Sequence, residues 1–193
     1  MLRRLEWREL LYQKNRANTT RKLQSPNNFS IFITRQTIHR ICEWLLLRSI
    51  PIAEKGYGIF LKKFDSNWNQ LKKVQVTSES SLQDRPSITY ADGYFYVAYF
   101  SKETGTYDIF VKRLNNNLNL ASWKKQITSK SSYQSYPFIT FLNNQFVISS
   151  ASTESGTLGI YMKKYDSSWN YIEKTKIVDS SAKERRPSHT WDG

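Results

Sequence analysis

Three places in the chain set a bulky polar side chain directly before a proline: Arg85-Pro-Ser-Ile88, Tyr136-Pro-Phe-Ile139 and Arg186-Pro-Ser-His189. Two guanidiniums brought close together would grip a carboxylate through paired, charge-assisted hydrogen bonds. Each arginine also follows an acidic residue closely, Asp84 or Glu184, so loop capping would use the same groups. Trp68 and Trp169 occupy matching positions, with Trp123 near the corresponding place. Aromatic faces stack on sugars, and in repeated sequences they equally fill the space between units. The pairs Lys62-Lys63, Lys112-Arg113 and Lys163-Lys164 would make a basic band for polyanions, or a solvated strand face guarded against edge pairing. Tyr107-Asp108 offers one carboxylate, and its counterparts Tyr57-Gly58 and Leu158-Gly159 offer none, whereas glycoside cleavage takes a pair.

Other chemistries lack their residues. Cys42 is the one cysteine, and His39 and His189 have no ligand-type neighbour at metal spacing, so neither a disulfide framework nor a zinc site is expected. Phosphate-cradling glycine loops, His-Glu-x-x-His and the serine elbow are missing from the sequence, and no cofactor is expected. The formal charge of +13 is concentrated early, residues 1–55 holding 11 basic and 4 acidic side chains. That bias suits a polyanion-binding arm; over the rest of the chain the charges are spread, and specific nucleic-acid binding is not expected. Glu6, Arg8 and Glu9 interrupt the N-terminal leucines, so no secretory leader is read there. Trp44-Leu-Leu-Leu47 is too short to span a bilayer. Asn18-Thr-Thr20 and Asn28-Phe-Ser30 fit the acceptor triplet for N-glycosylation.

The elements that position these side chains follow from a repeat. Gly56-Tyr-Gly-Ile-Phe-Leu-Lys-Lys-Phe64 recurs as Gly105 to Leu114 and as Gly156 to Tyr165, with Ile59, Ile109 and Ile160 in register. Each copy reads as four short strands: a proline-led strand, a tight turn at Asp92-Gly93 or Asn143-Asn144, an aromatic strand such as Tyr94–Phe100, the repeated stretch, and a polar last strand. A four-stranded unit of about 50 residues that stacks on its own copies is a propeller blade. The fold expected is all-β, a partial β-propeller whose proline-led strands lie innermost. Residues 1–34 form a basic N-terminal segment, poorly ordered or helical. Residues 35–193 form the partial propeller: a decayed blade over 35–78, blades over 85–129 and 136–179, and a truncated one over 186–193. For 35–55 the decayed copy competes with a helix from Thr37 to Ser49, because Ile41, Trp44, Leu45 and Arg48 also suit a helical face.

The run Arg85-Pro-Ser-Ile-Thr-Tyr-Ala-Asp-Gly-Tyr-Phe-Tyr-Val-Ala-Tyr99, followed by Gly105-Thr-Tyr-Asp-Ile-Phe-Val-Lys-Arg113, resembles the repeats of sialidase-like propellers of the BNR or Asp-box type, over roughly residues 56–193. The Asp-box of that family reads Ser-x-Asp-x-Gly-x-x-Trp. Asp65-Ser-Asn-Trp68 and Asp166-Ser-Ser-Trp169 keep an Asp and a Trp without the Gly, and the middle copy has Asn115 and Leu118. The resemblance implies a glycan-handling propeller, extracellular or at the cell surface. Catalysis in that family takes three arginines, a tyrosine–glutamate pair and an acid spread over a complete ring.

On this basis the chain is expected to be a non-catalytic binding or scaffold module for a glycan or a protein surface. Arg85, Arg186, Tyr136, Trp68 and Trp169 are its candidate binding residues, with no catalytic or metal-binding residue. Its open blade faces are expected to drive self-association, and the blade count suggests a gene fragment without independent function. The alternative is part of a sialidase-like glycoside hydrolase completed by other blades or protomers.

Overall fold

A computed structural model describes residues 21–24, 30–38, 41–52, 56–65, 67–78, 80–129, 131–178 and 184–189, with side chains from residue 58 onward. Residues 1–20, Asn18 among them, lie outside the described residues, as do Asn28 and His39. Thirteen strands and no helix occur among the described residues. The first sheet runs β1 (Arg21–Gln24), β2 (Ser30–Ile38), β3 (Ile41–Ile52), β4 (Gly56–Phe64) and β5 (Gln70–Gln75), in that order. The second holds β6 (Gln83–Ala91), β7 (Tyr94–Ser101), β8 (Asp108–Asn115) and β9 (Leu120–Gln126). The third holds β10 (Gln134–Leu142), β11 (Gln145–Ser152), β12 (Gly159–Asp166) and β13 (Tyr171–Val178). Each strand pairs antiparallel with the next in sequence, so each sheet is a meander.

Two differences from the expectation concern the N-terminal part. The helix considered for 37–49 is not found in its described residues: 37–38 end β2 and 41–49 belong to β3, which pairs on one side with β2 (Arg35 opposite Trp44) and on the other with β4 (Phe64 opposite Trp44). A short apolar run fits both periods, and pairing on two sides decides for the strand. The first sheet also starts earlier than residue 35, taking in β1 and the beginning of β2.

The sheets stack face to face, and alternation along each strand decides which neighbour a side chain meets. Ile59 and Leu61 of β4 point forward into a cluster with Ile88, Phe95, Val97, Phe110, Leu114 and Leu118 of the second sheet. One repeat later, Ile109 and Val111 of β8 point forward against Ile139, Phe146, Ile148, Tyr165 and Trp169 of the third. Within β8 the intervening residues Phe110 and Leu114 point backward, to the first sheet. Polar groups add direct links between neighbours: Ser87 Oγ on β6 accepts from the Ile139 N–H on β10 at 3.2 Å. Lys112 donates to the Val76 carbonyl at 3.3 Å, and Lys163 to that of Ile127 at 2.5 Å. The repeated basic residue is thus a clasp between adjacent sheets. Its companions are engaged too: Arg113 lies over the rings of Tyr94 and Trp123, and Lys164 pairs with Glu173 at 2.6 Å.

The turn between the last two strands of each sheet is built the same way three times. Asp65 Oδ1 accepts from the N–H groups of Asn67 and Asn69, Asn115 Oδ1 from those of Asn117 and Asn119, and Asp166 Oδ1 from that of Asn170. The side-chain hydrogen bond from Asn69 or Asn170 comes first among the contacts that hold the Asp65 and Asp166 carboxyls below their ordinary value. The fourth residue of each turn is left-handed: Trp68 at φ 65°, Leu118 at 55° and Trp169 at 66°. This conformation swings its side chain back over the preceding sheet. Trp169 is 7% exposed and stacks on Phe146 at 4.2 Å, with Trp123 at 4.9 Å and Tyr96 at 5.4 Å.

Removing such a side chain leaves a cavity as well as losing its transfer free energy. Trp169→Ala is expected to cost about 3–5 kcal/mol in urea unfolding. Leu120→Ala, at a side chain 42% exposed, should stay within about 0.5 kcal/mol. Equal effects from the two would refute the wedge role of Trp169.

Candidate functional site

The strand register sorts the candidate residues to two ends of the sheets. Gln83, Ser101 and Asp108 align at one end of the second sheet, and Ala91, Tyr94 and Asn115 at the other. Arg85, Tyr136 and Arg186 belong to the first end; Trp68 and Trp169 sit in turns at the second. The five therefore do not form one site. Trp169 is a buried wedge and Trp68 packs at 5.9 Å on Phe64, so the indoles serve sheet packing.

At the first end each inner strand is broken by a bulge. The pairing of β6 with β7 skips from Asp84 to Ser87, and that of β10 with β11 from Ser135 to Phe138. Arg85-Pro86 and Tyr136-Pro137 are the residues passed over, and Pro has no N–H to give the ladder. The residue before each proline is left-handed, with φ 53° at Arg85, 54° at Tyr136 and 60° at Arg186. For residues with a Cβ this conformation costs roughly 1–2 kcal/mol. A bulge re-aims the side chain it carries, and here the re-aimed side chains converge.

The Arg85 guanidinium carbon lies 3.8 Å from the Tyr136 ring centroid and 5.9 Å from that of Phe100; that of Arg186 lies 5.8 Å from Tyr136. Arg85 Nε is 3.9 Å from Asp84 Oδ2, and the Arg85 N–H donates to Asp84 Oδ1 at 2.7 Å. Beside them opens a cavity of about 550 Å³ lined by Arg85, Tyr133, Tyr136, Thr153, Thr157 and Arg185 among others. It combines guanidinium donors, phenol rings and threonine hydroxyls, the kind of lining that takes a polar ligand with an apolar face.

The structure places Arg85 and Arg186 near the Tyr136 ring, and the cavity beside them is lined also by Arg185, Tyr133, Thr153 and Thr157, which the sequence did not single out. They lie in the loops around the bulge, where Thr157 matches Thr106 and Tyr133 takes the place of Leu82, so residue type alone did not set them apart. Asp108 is 1% exposed and turned inward. It accepts from the hydroxyls of Thr128 at 2.9 Å, Thr104 at 2.8 Å and Thr106 at 3.0 Å, which clasps the start of β8. No cluster of three or more His, Cys, Asp or Glu side chains gathers among the described residues, and no helix there is long and apolar enough to cross a membrane.

His189 occupies the place that Ile88 and Ile139 hold in the other copies. Its ring sits between Thr140 Oγ1 (2.7 Å from Nε2) and Ser149 Oγ (3.2 Å from Nδ1), edge-on to Phe138. The Glu184 N–H donates to the Leu158 carbonyl at 2.9 Å, so residues 184–189 are tied at both ends to the third sheet.

The fold and this site define a class: an all-β protein of stacked antiparallel four-stranded sheets, a β-propeller type. No family model and no curated protein sequence matches the chain. Among solved structures it is similar to the GH93 alpha-L-arabinofuranosidase of Fusarium graminearum, in complex with arabinobiose. The TM-score is 0.56 at 10% identity, and the match covers 80% of this chain and 60% of that one. At that identity the fold is what is shared. The expectation of a non-catalytic module is corrected by this finding, since a solved chain that shares this fold is a glycoside hydrolase. The physical reason is that a propeller site draws its groups from several sheets. A missing carboxylate pair in three sheets therefore says nothing about catalysis by the assembled site.

Burial holds the His189 pKa below its usual 6.5. The unfolded chain then binds more protons than the folded one at mildly acid pH, so the stabilisation is fully present above pH 6.5 and is lost as pH falls below it. Wild type is expected to melt at lower temperature at pH 5 than at pH 7.5, and His189→Ile to lose part of that difference. An unchanged pH dependence in the variant would show that His189 does not titrate across folding.

Proposed function

We infer that the chain contributes sheets to a carbohydrate-active propeller of glycoside hydrolase type, and that a saccharide binds at the bulged end. The observation carrying this is that Arg85 and Tyr136, both strained into left-handed backbone, line one cavity together with Arg185, while the left-handed Arg186 lies beside the Tyr136 ring. Strain at a ligand-facing position is a feature of functional sites. The likeness to an arabinofuranosidase favours sugar as the ligand class, and the Asp- and Asn-headed turns at the opposite end favour a degenerate Asp-box repeat. The cavity lining holds no carboxylate, so the acid and base of a glycosidase pair would come from other sheets, supplied by further blades or protomers. In this reading the arginines hold a carboxylate or hydroxyl groups of the sugar, with Tyr136 beneath.

The test is titration of the chain with arabinobiose and, separately, with a uronic-acid oligosaccharide, followed by amide chemical shifts. Shifts confined to residues around Arg85, Tyr136 and Thr153 are expected with at least one of them. Arg85→Gly relieves the left-handed residue, so its stability should stay within about 1 kcal/mol, while affinity falls roughly tenfold or more. Absence of shifts with both sugars, or binding unaffected by Arg85→Gly, overturns the reading.

A further inference from the structure

The bulged end carries a row of aromatic rings that sheet packing does not require. Tyr133 lines the cavity. The Tyr107 ring lies 5.1 Å from that of Tyr133, inclined at 60°, and 5.8 Å from that of Phe100. Phe100 is buried, whereas Tyr107 and Tyr133 are half-buried. Leu158 holds the place of Tyr107 in the third sheet, and Leu82 that of Tyr133 in the second. Leucine therefore suffices to fill these positions, and the phenols reach beyond what the frame needs. Hydrogen bonds fix both tyrosines relative to the cavity. The Tyr133 N–H donates to Thr153 Oγ1 at 3.0 Å and its carbonyl accepts from the Thr153 N–H at 3.1 Å; Thr153 is itself a lining residue. The Tyr107 carbonyl accepts from the Gln134 N–H at 3.0 Å, at the start of β10. The loop leading to Tyr107 is stiffened by Asp108, whose carboxylate accepts from the Thr104 and Thr106 hydroxyls. The other two sheets have Gly58 and Gly159 there, and at Gly159 a Cβ would stand 2.7 Å from the Val178 carbonyl oxygen. The carboxylate clasp is thus particular to the sheet that carries Tyr107.

We propose that Tyr107 and Tyr133 form the floor of an outer subsite, and that the ligand is a saccharide chain of several units running from the cavity along the seam between the second and third sheets. This rests on the saccharide-binding reading of the cavity and adds to it the length of the ligand. The apolar face of a sugar rests on an aromatic ring, and rings inclined at 60° suit successive units of a chain that twists. Exposed Lys102 holds its ammonium 5.5 Å from the Tyr107 ring centroid, within reach of the oxygens of a unit resting there. Because backbone hydrogen bonds hold both tyrosines before a ligand arrives, little ordering cost is left to binding. Tyr133 borders the cavity and the row alike, so one continuous chain, and not two separate sugars, is the occupant.

Calorimetric titration of the full chain with arabinobiose and arabinohexaose, and with a uronic-acid disaccharide and hexasaccharide, tests this. For the sugar that binds, the hexasaccharide should bind about tenfold tighter than the disaccharide, as expected for one further aromatic contact. It should also shift the Tyr107 ring protons, which the disaccharide leaves in place. Tyr107→Leu installs the residue type that the third sheet uses at this position. It should remove the gain with length while the disaccharide binds as it does to wild type, and Tyr107→Phe should keep the gain. No binding of any of the four sugars overturns the cavity reading and this inference with it. Four results overturn the outer subsite alone and leave the cavity reading standing: disaccharide binding with no gain from length, a gain that survives Tyr107→Leu, equal weakening of both lengths by that variant, and loss of the gain in Tyr107→Phe.

Discussion

A four-stranded antiparallel sheet with apolar side chains on both faces is stable only when both faces are covered, and everything else in this molecule follows from that. The second sheet meets the condition: Phe110, Leu114 and Leu118 go back into the first sheet while Ile109 and Val111 go forward into the third. Each link between sheets has the same parts, an apolar interleaving, a wedge thrown back from the turn and a lysine reaching a carbonyl of the previous sheet. The stability of such an array is close to a sum over units and their nearest-neighbour contacts. The sheets with one neighbour are therefore its weakest parts, whatever their own hydrogen bonding.

The wedge depends on a small polar device. An Asp or Asn side chain closes the turn by accepting backbone N–H groups, and the residue three places on is forced left-handed. Leu118 and Trp169 do the same job with different volumes because the receiving faces differ. Trp169 meets Tyr96, Trp123 and Phe146, whereas Leu118 meets a cluster with Ile59 and Leu61. The turn tolerates Asn for Asp since a single acceptor oxygen is what the two N–H groups need.

Strand alternation made most of this readable in the sequence. The recurrence around Ile59, Ile109 and Ile160 marked out the sheets, and the proline-preceding positions picked out Arg85 and Tyr136, which line the cavity, and Arg186, which lies near the Tyr136 ring. The first sheet was harder to read because Ile41 to Ile52 has lost the turn signals that separate strand from helix. The indoles at 68 and 169 were matched correctly to each other, but whether an aromatic side chain faces a neighbouring sheet or a ligand depends on the backbone φ of its own turn, which residue type does not disclose. The lysine clasp was hidden for a related reason. Lys112 and Lys163 look like solvated strand residues until the neighbouring carbonyl is in place. A part in catalysis could not be judged from three sheets, because the groups of a propeller site are far apart in sequence.

The left-handed bulge residues connect the frame to the chemistry. Glycine would satisfy the backbone at Arg85, Tyr136 and Arg186 without the roughly 1–2 kcal/mol cost of a Cβ in that conformation. At the turns the same cost has a visible return, since Leu118 and Trp169 are buried almost completely. Of the left-handed residues before proline, Tyr136 is buried, but Arg186 is exposed and Arg85 is only partly covered, so burial does not offset the strain at the two arginines. What these positions gain is direction: the bulge turns an inner-strand side chain out of the alternating pattern, toward the cavity edge. Arg85 arrives over the face of Tyr136 with Asp84 beside its Nε, an arrangement in which the aromatic ring and the acid fix a cation whose remaining donors are open to the cavity. A purely structural bulge has no need of that cation, so the strain at Arg85 accords with the saccharide-binding role proposed for this end of the sheets.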